Sequence, residues 1–183
     1  MALPKAKDDA LGARLAALPV PSGKGWLAAA RNEALVRLTA MGLPARRDEY
    51  WRYTDPASLN GPETPVAHSF DASDEAAPFD AMDRVKIVFV DGVFDPSASD
   101  DLTLSGVSIE RLAEAGAKDI HWAQGLYGVL ETRGQTPVAR PFAALNTARA
   151  TDGVLIHVTG KATKPVSLVY VHESETSDAI LHH

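Results

Sequence analysis

Six histidines and a complete lack of cysteine decide first what chemistry this chain can carry. The histidines stand at positions 68, 121, 157, 172, 182 and 183. A metal site needs ligands whose spacing folds them onto one point, such as H-x-H or H-x-x-x-H with a distant carboxylate. Neither spacing occurs. His182 and His183 are adjacent, and in a strand they would point to opposite faces. His157 lies within a strand-forming run, where the expectation is a hydrogen-bonded structural imidazole. Without cysteine there is no disulfide, thiolate metal site or cysteine nucleophile within this chain.

Other catalytic signatures are missing as well. No GxxxxGK[ST] phosphate loop is present, and Ser22-Gly23-Lys24-Gly25 lacks the preceding strand that gives such a loop its geometry. No G-x-S-x-G elbow occurs. Asp91-Gly92 and Asp152-Gly153 read as turns before they read as catalytic carboxylates. The sequence therefore assigns no catalytic, cofactor-binding or metal-binding residue, and the expectation is a protein that is not an enzyme. A net charge of -6 and a pI near 5.5 argue against nucleic acid, which requires a basic face. The arginines are scattered apart from Arg46-Arg47. No apolar run reaches the ~20 residues of a membrane helix. The N-terminus carries Asp8 and Asp9 and has no signal-peptide core, so a cytoplasmic location is expected.

The elements follow from periodicity. Residues 6 to 18 make a weak amphipathic helix with Leu11, Leu15 and Leu18 on one side. From Trp26 to Met41 a stripe of Leu27, Ala30, Ala34, Leu38 and Met41 predicts a second helix. Arg31 and Arg37 lie off that stripe, and Gly42 is placed as its C-cap. The charged and aromatic block Leu43 to Leu59 reads as a loop anchored on the core by Trp51 and Tyr53. Residues 60 to 83, rich in acids, prolines and small residues, read as a linker or surface segment. Val85 to Phe94 predicts a β-hairpin turning at Asp91-Gly92. Val107 to Ile109 is a short strand leading into a helical turn, and Ile120 to Leu130 a helix with Trp122, Leu126 and Leu130 in register. Thr136 to Arg140 connects onward.

The organising stretch is Pro141 to Val171. A short helix carrying Phe142, Leu145 and Ala148 breaks at Thr151-Asp152-Gly153, a turn most residues would resist. Two β-branched runs follow, Val154 to Val158 and Val166 to Val171, expected in a mostly covered sheet. Ala179 to Leu181 starts a further apolar run, so the expectation is a chain cut from something longer. The fold class is α+β, with a helical region over residues 1–83 and a strand-rich region over 84–183. Strand starts every 12 to 14 residues suit either a parallel β-helix or a meander.

Three blocks carry a family resemblance. GLPARRDEYWRYTDPASL (Gly42 to Leu59), IVFVDGVFDPSAS (Ile87 to Ser99) and ALNTARATDGVLIHVTGKATKPVSLVYV (Ala144 to Val171) resemble, in order and spacing, the SufD branch of the SufB/SufD family of iron–sulfur cluster assembly proteins. The resemblance implies an N-terminal helical domain followed by the first coils of a right-handed parallel β-helix. It implies a non-enzymatic scaffold in a SufBCD-type complex, partnered by SufB and by the ATPase SufC. The full complex handles an iron–sulfur cluster, and ATP through SufC; no cofactor is expected in this fragment. The family's cluster-assembly histidine and SufC-binding helices would lie beyond His183, so no residue here takes those roles. Lack of cysteine fits SufD better than SufB. The alternatives from other classes are a small cupin-like metalloenzyme and an interaction module without a metal role. Self-association through the cut β edge is also expected.

Overall fold

The computed structural model describes residues 5–63, 66, 68, 74–175 and 182–183. The run Ala179 to Leu181 and part of the 60–83 segment lie outside the described residues. The protein is mixed α+β and divides into two compact units that the chain enters alternately. Met1–Thr64, Leu112–Gly153 and Leu181–His183 form the first, and Pro65–Arg111 and Val154–Ile180 the second.

The first unit is helical. Helices α1 (Lys5–Ala17), α2 (Gly25–Met41), α3 (Ala57–Asn60), α4 (Leu112–Ala115), α5 (Val129–Arg133) and α6 (Pro141–Arg149) belong to it. Its core joins Leu11 and Leu18 from the α1 segment, Leu38 and Leu43 from the end of α2, and Ala144 and Leu145 from α6. The predicted stop of α2 is found: Gly42 takes φ 67° and returns its N–H to the Leu38 carbonyl at 2.8 Å. Pro141 opens α6, where its fixed φ and missing N–H cost nothing.

Four expectations for this unit are corrected. Arg31, expected off the α2 stripe, is buried beside Leu27 and Ala34. Ile120 to Leu130 is not one helix. A 3-10 turn spans Trp122–Gly125, Gly128 sits at φ 73°, and α5 starts only afterwards. Trp122, Leu126 and Leu130 are therefore 38%, 61% and 80% exposed, while Ala123 and Tyr127 face inward. The block after α2 is anchored differently from the expectation: Tyr53 is 86% exposed. Trp51 is half-buried and meets Phe142 edge to face, with ring centroids 5.3 Å apart. Truncating Trp51 to alanine should therefore lower the unfolding free energy by about 2 kcal/mol, below the ~3–5 kcal/mol of a fully buried tryptophan. A urea midpoint matching wild type would show that the Phe142 contact contributes nothing. Finally, the break before the strands does not rest on a left-handed glycine. A Cβ on Gly153 would instead collide with the His183 carbonyl, so this position needs closeness rather than an unusual φ.

The second unit contains the strands β1 (Val85–Val90), β2 (Val93–Phe94), β3 (Val107–Arg111), β4 (Val154–Val158) and β5 (Val166–Val171). The hairpin β1–β2 forms as predicted, with Asp91 and Gly92 at φ 45° and 86°, the two positive values that a tight hairpin turn demands. β1 also pairs in parallel with β5, Val85 opposite Val166 through Val90 opposite Val171. β3 pairs antiparallel with β4 in a separate two-stranded sheet. Val85, Ile87 and Phe89 pack with Leu104, Val107 and Ile109 to make the core. Gly106, at φ 77°, lets the chain before β3 pass close to Lys161, whose carbonyl would lie 2.5 Å from an added Cβ.

The two C-terminal strands are less covered than their apolar composition predicts. Ile156 and Val158 on β4 are 40% and 63% exposed, and Leu168 and Tyr170 on β5 are each 44% exposed. The described sheets have three and two strands and do not form a solenoid.

Candidate functional site

The residue types that could do chemistry are used for structure. Both Asp–Gly carboxylates are tied to backbone. Asp91 accepts from the N–H groups of Glu173 and Ser174 at 3.2 and 3.0 Å, which fixes the chain leaving β5 onto the hairpin turn. Asp152 is buried and accepts from Ala113 N–H at 3.0 Å, while the Gly153 carbonyl accepts from Leu112 N–H at 3.0 Å. Together they hold the start of α4.

The histidines do not converge. His121 is buried; its Nδ1 accepts from Ala123 N–H at 3.2 Å, and its ring stacks on Trp26 with centroids 6.1 Å apart. His183 lies against Tyr127 at 4.2 Å, and burial pushes its pKa down despite the opposing pull of Glu131. The His182 carbonyl accepts from Asn146 Nδ2 at 2.7 Å. In the second unit His157 is exposed on β4, His68 stands 3.7 Å from Glu175, and His172 4.0 Å from Asp91. Among the described residues no group of three or more His, Asp or Glu side chains could hold a metal ion.

The first unit also holds a buried guanidinium that sequence periodicity places elsewhere. Arg31 donates from Nη1 to the Ser22 carbonyl at 2.7 Å and from Nη2 to the Ala150 carbonyl at 2.6 Å. Tyr127 donates its hydroxyl to the Thr147 carbonyl at 2.7 Å, and burial, outweighing nearby Arg31, raises its pKa. Such groups join distant segments.

What the second unit does expose is strand edge. Its three-stranded sheet runs β2–β1–β5, and one side is sealed. Beyond β2, Lys86 N–H donates to Asp100 at 2.7 Å and Val88 N–H to Ser99 Oγ at 2.9 Å, while Val88 and Lys86 carbonyls accept from Asp95 and Asp100 N–H. Asp95 itself is locked by Ser97 and Ala98, which hold its carboxyl below the usual range. Among the described residues, no strand pairs with the outer edge of β5 or with that of β4. Neither VSLVYV nor VLIHV carries the lysine or proline with which proteins usually blunt an edge. Beside β5, Phe79, Val88, Val169 and Val171 line an apolar trough of about 700 Å³.

Edge backbone beside exposed Leu168, Ile156 and Val158, with no described strand paired to it, can accept a further strand and bury apolar area at ~25 cal/mol per Å². The isolated chain should therefore self-associate with rising concentration, and Leu168→Lys should suppress it. Light scattering over a wide concentration range tests this; a strict monomer would show that these edges are covered.

A family model described as the SufBD protein N-terminal region matches residues 22–168. A search of curated proteins found no match.

Proposed function

We propose a role in iron–sulfur cluster assembly for this chain, which belongs to the family of the SufBD protein N-terminal region. The match over residues 22–168 carries that reading. Within it, the chain acts as a non-enzymatic scaffold of the SufD type, working in the cytoplasm in a SufBCD-type complex with SufB and the ATPase SufC. The absence of cysteine supports SufD over SufB. Backbone N–H groups hold both Asp91 and Asp152, which gives each carboxylate a structural use. No described helix is long and apolar enough to cross a membrane.

The second unit would open a right-handed parallel β-helix. Two features support this. β1 and β5 pair in parallel, register intact over six positions. β4 and β5 follow each other in sequence yet lie in different sheets, as successive strands of one coil do. Later coils would then add to the outer edges of β4 and β5.

Co-expression with SufB and SufC tests the assignment. The three proteins should co-purify, and Leu168→Lys should weaken the assembly; a chain that elutes alone would overturn it. The chain by itself should bind neither a cluster nor a catalytic metal. Anaerobic reconstitution with iron and sulfide, read by visible absorption, should leave no stable band. Stoichiometric metal after purification without a histidine tag would favour an enzyme instead.

A further inference from the structure

The segment after α2 presents a second surface, within the first unit, that the assembly role does not use. Ala45 to Asp48 is a tight turn, closed by the Asp48 N–H donating to the Ala45 carbonyl at 2.8 Å. The Asp48 carboxylate accepts from Ala45 N–H at 2.9 Å and from the Lys7 ammonium at 2.9 Å. Burial would raise the Asp48 pKa, but these bonds outweigh it and hold the group below its ordinary value. The turn is therefore fixed, and its two central residues, Arg46 and Arg47, project into solvent.

The charges around them are already matched. Asp48 is engaged by Lys7, Glu49 by Arg52 at 3.1 Å, and Asp55 by Ala57 N–H at 3.0 Å. Among the described residues no carboxylate pairs with Arg46 or Arg47. On a chain of net charge -6 they form a local positive point. Aromatic surface adjoins it: Tyr50 is 64% exposed, and Tyr53, 86% exposed, lies under the Arg52 guanidinium at 4.6 Å. A cleft of about 390 Å³ opens at Tyr50 and Trp51, floored by Met41, Pro44 and Pro141; Asp48 and Glu49 also line it, their charges engaged by Lys7 and Arg52. Tyrosine, tryptophan and arginine are the side chains that dominate protein interfaces.

We propose that this surface docks an acidic protein segment, its carboxylates on Arg46 and Arg47 and an apolar or aromatic side chain in the cleft. Carboxylate oxygens match the forked donors of arginine, and the cleft supplies the apolar contact that charge alone does not. A nucleic acid would meet the acidity of the chain as a whole.

Fluorescence anisotropy tests it with a short fluorescein-labelled peptide in which glutamate alternates with phenylalanine and leucine. The full chain should bind this peptide, and binding should fall as salt rises. Arg46→Ser with Arg47→Ser should weaken it roughly tenfold or more, and Tyr50→Ala by a similar factor. These side chains are exposed, so the variants should keep the wild-type circular dichroism. Amide exchange should slow over residues 44–53 when the peptide binds. Three results would overturn the proposal: equal binding of the lysine-for-glutamate peptide, unchanged affinity in both variants, or displacement by a single-stranded oligonucleotide.

Discussion

Replacing Phe89 with alanine should lower the unfolding free energy by about 3–5 kcal/mol, a large part of the ~5–15 kcal/mol that holds a typical domain folded. Phe89 is fully buried near the hairpin end of β1, the middle strand of its sheet. Its ring meets Phe94 edge to face at 5.8 Å and stacks on Tyr170 at 5.6 Å. Those two rings sit on the two strands that flank β1, opposite Phe89 in register. Truncation removes the shared partner of both contacts and leaves a cavity between them. Phe89→Leu, which keeps most of the volume, should cost less. Val93→Ala, at a position 70% exposed, should stay within ~0.5 kcal/mol of wild type. Urea unfolding gives the free energies, and amide exchange on β1 and β5 locates the loss. A Phe89→Ala change below ~1 kcal/mol would mean that the sheet does not depend on this ring.

The local elements of that unit are legible in sequence, because the signals that specify them lie within a few residues. Asp91-Gly92 between two apolar runs fixes the hairpin, and Gly42 after the last apolar position of α2 fixes the helix end. The pairing partners are not legible. β5 joins β1 across some eighty residues, and β4 joins β3 across some forty-five, with no local mark of either choice. The chain crosses between its units at 64/65, 111/112, 153/154 and 180/181, and no composition shift announces most of those points. Periodicity misplaces the segment from Ile120 to Leu130 because Gly125 and Gly128 interrupt a stripe that looks continuous. What reads as cover over β4 and β5 is β-branched composition, which suits a strand whether or not anything lies against it. Of the two Asp–Gly pairs, Asp91-Gly92 makes the hairpin turn that the sequence predicts, while Gly153 takes no left-handed φ and Asp152 holds the start of α4. Arg46-Arg47 stands out in sequence as the one adjacent pair of arginines, but that Asp48 and Glu49 spend their charges on Lys7 and Arg52 is not legible there.

Arg31 is the residue that helical periodicity hides most completely, since the second of its two partners lies 119 positions away. Removing its guanidinium should cost about 3–6 kcal/mol, because a hydrogen bond from a charged group contributes ~1.5–3 kcal/mol and two are lost together. Buried ion pairs are often replaceable by apolar residues of similar volume, but that requires both partners to go. Here the partners are the main-chain carbonyls of Ser22 and Ala150, which no substitution removes. Arg31→Met keeps the aliphatic stem and should still be strongly destabilising, with the Ala150 carbonyl left buried and unpaired. Arg31→Lys offers a point charge in place of a planar fork and cannot serve both carbonyls with one geometry, so it should recover only part of the loss. Gly23→Ala supplies an independent check, since the added Cβ would stand 2.9 Å from Arg31 Nη1 and push the guanidinium off Ser22. The expected order of stability is wild type, then Gly23→Ala and Arg31→Lys, then Arg31→Met. If Arg31→Met unfolds within ~0.5 kcal/mol of wild type, water or a neighbouring donor satisfies the two carbonyls, and the join between the start of α2 and the end of α6 rests on apolar packing alone.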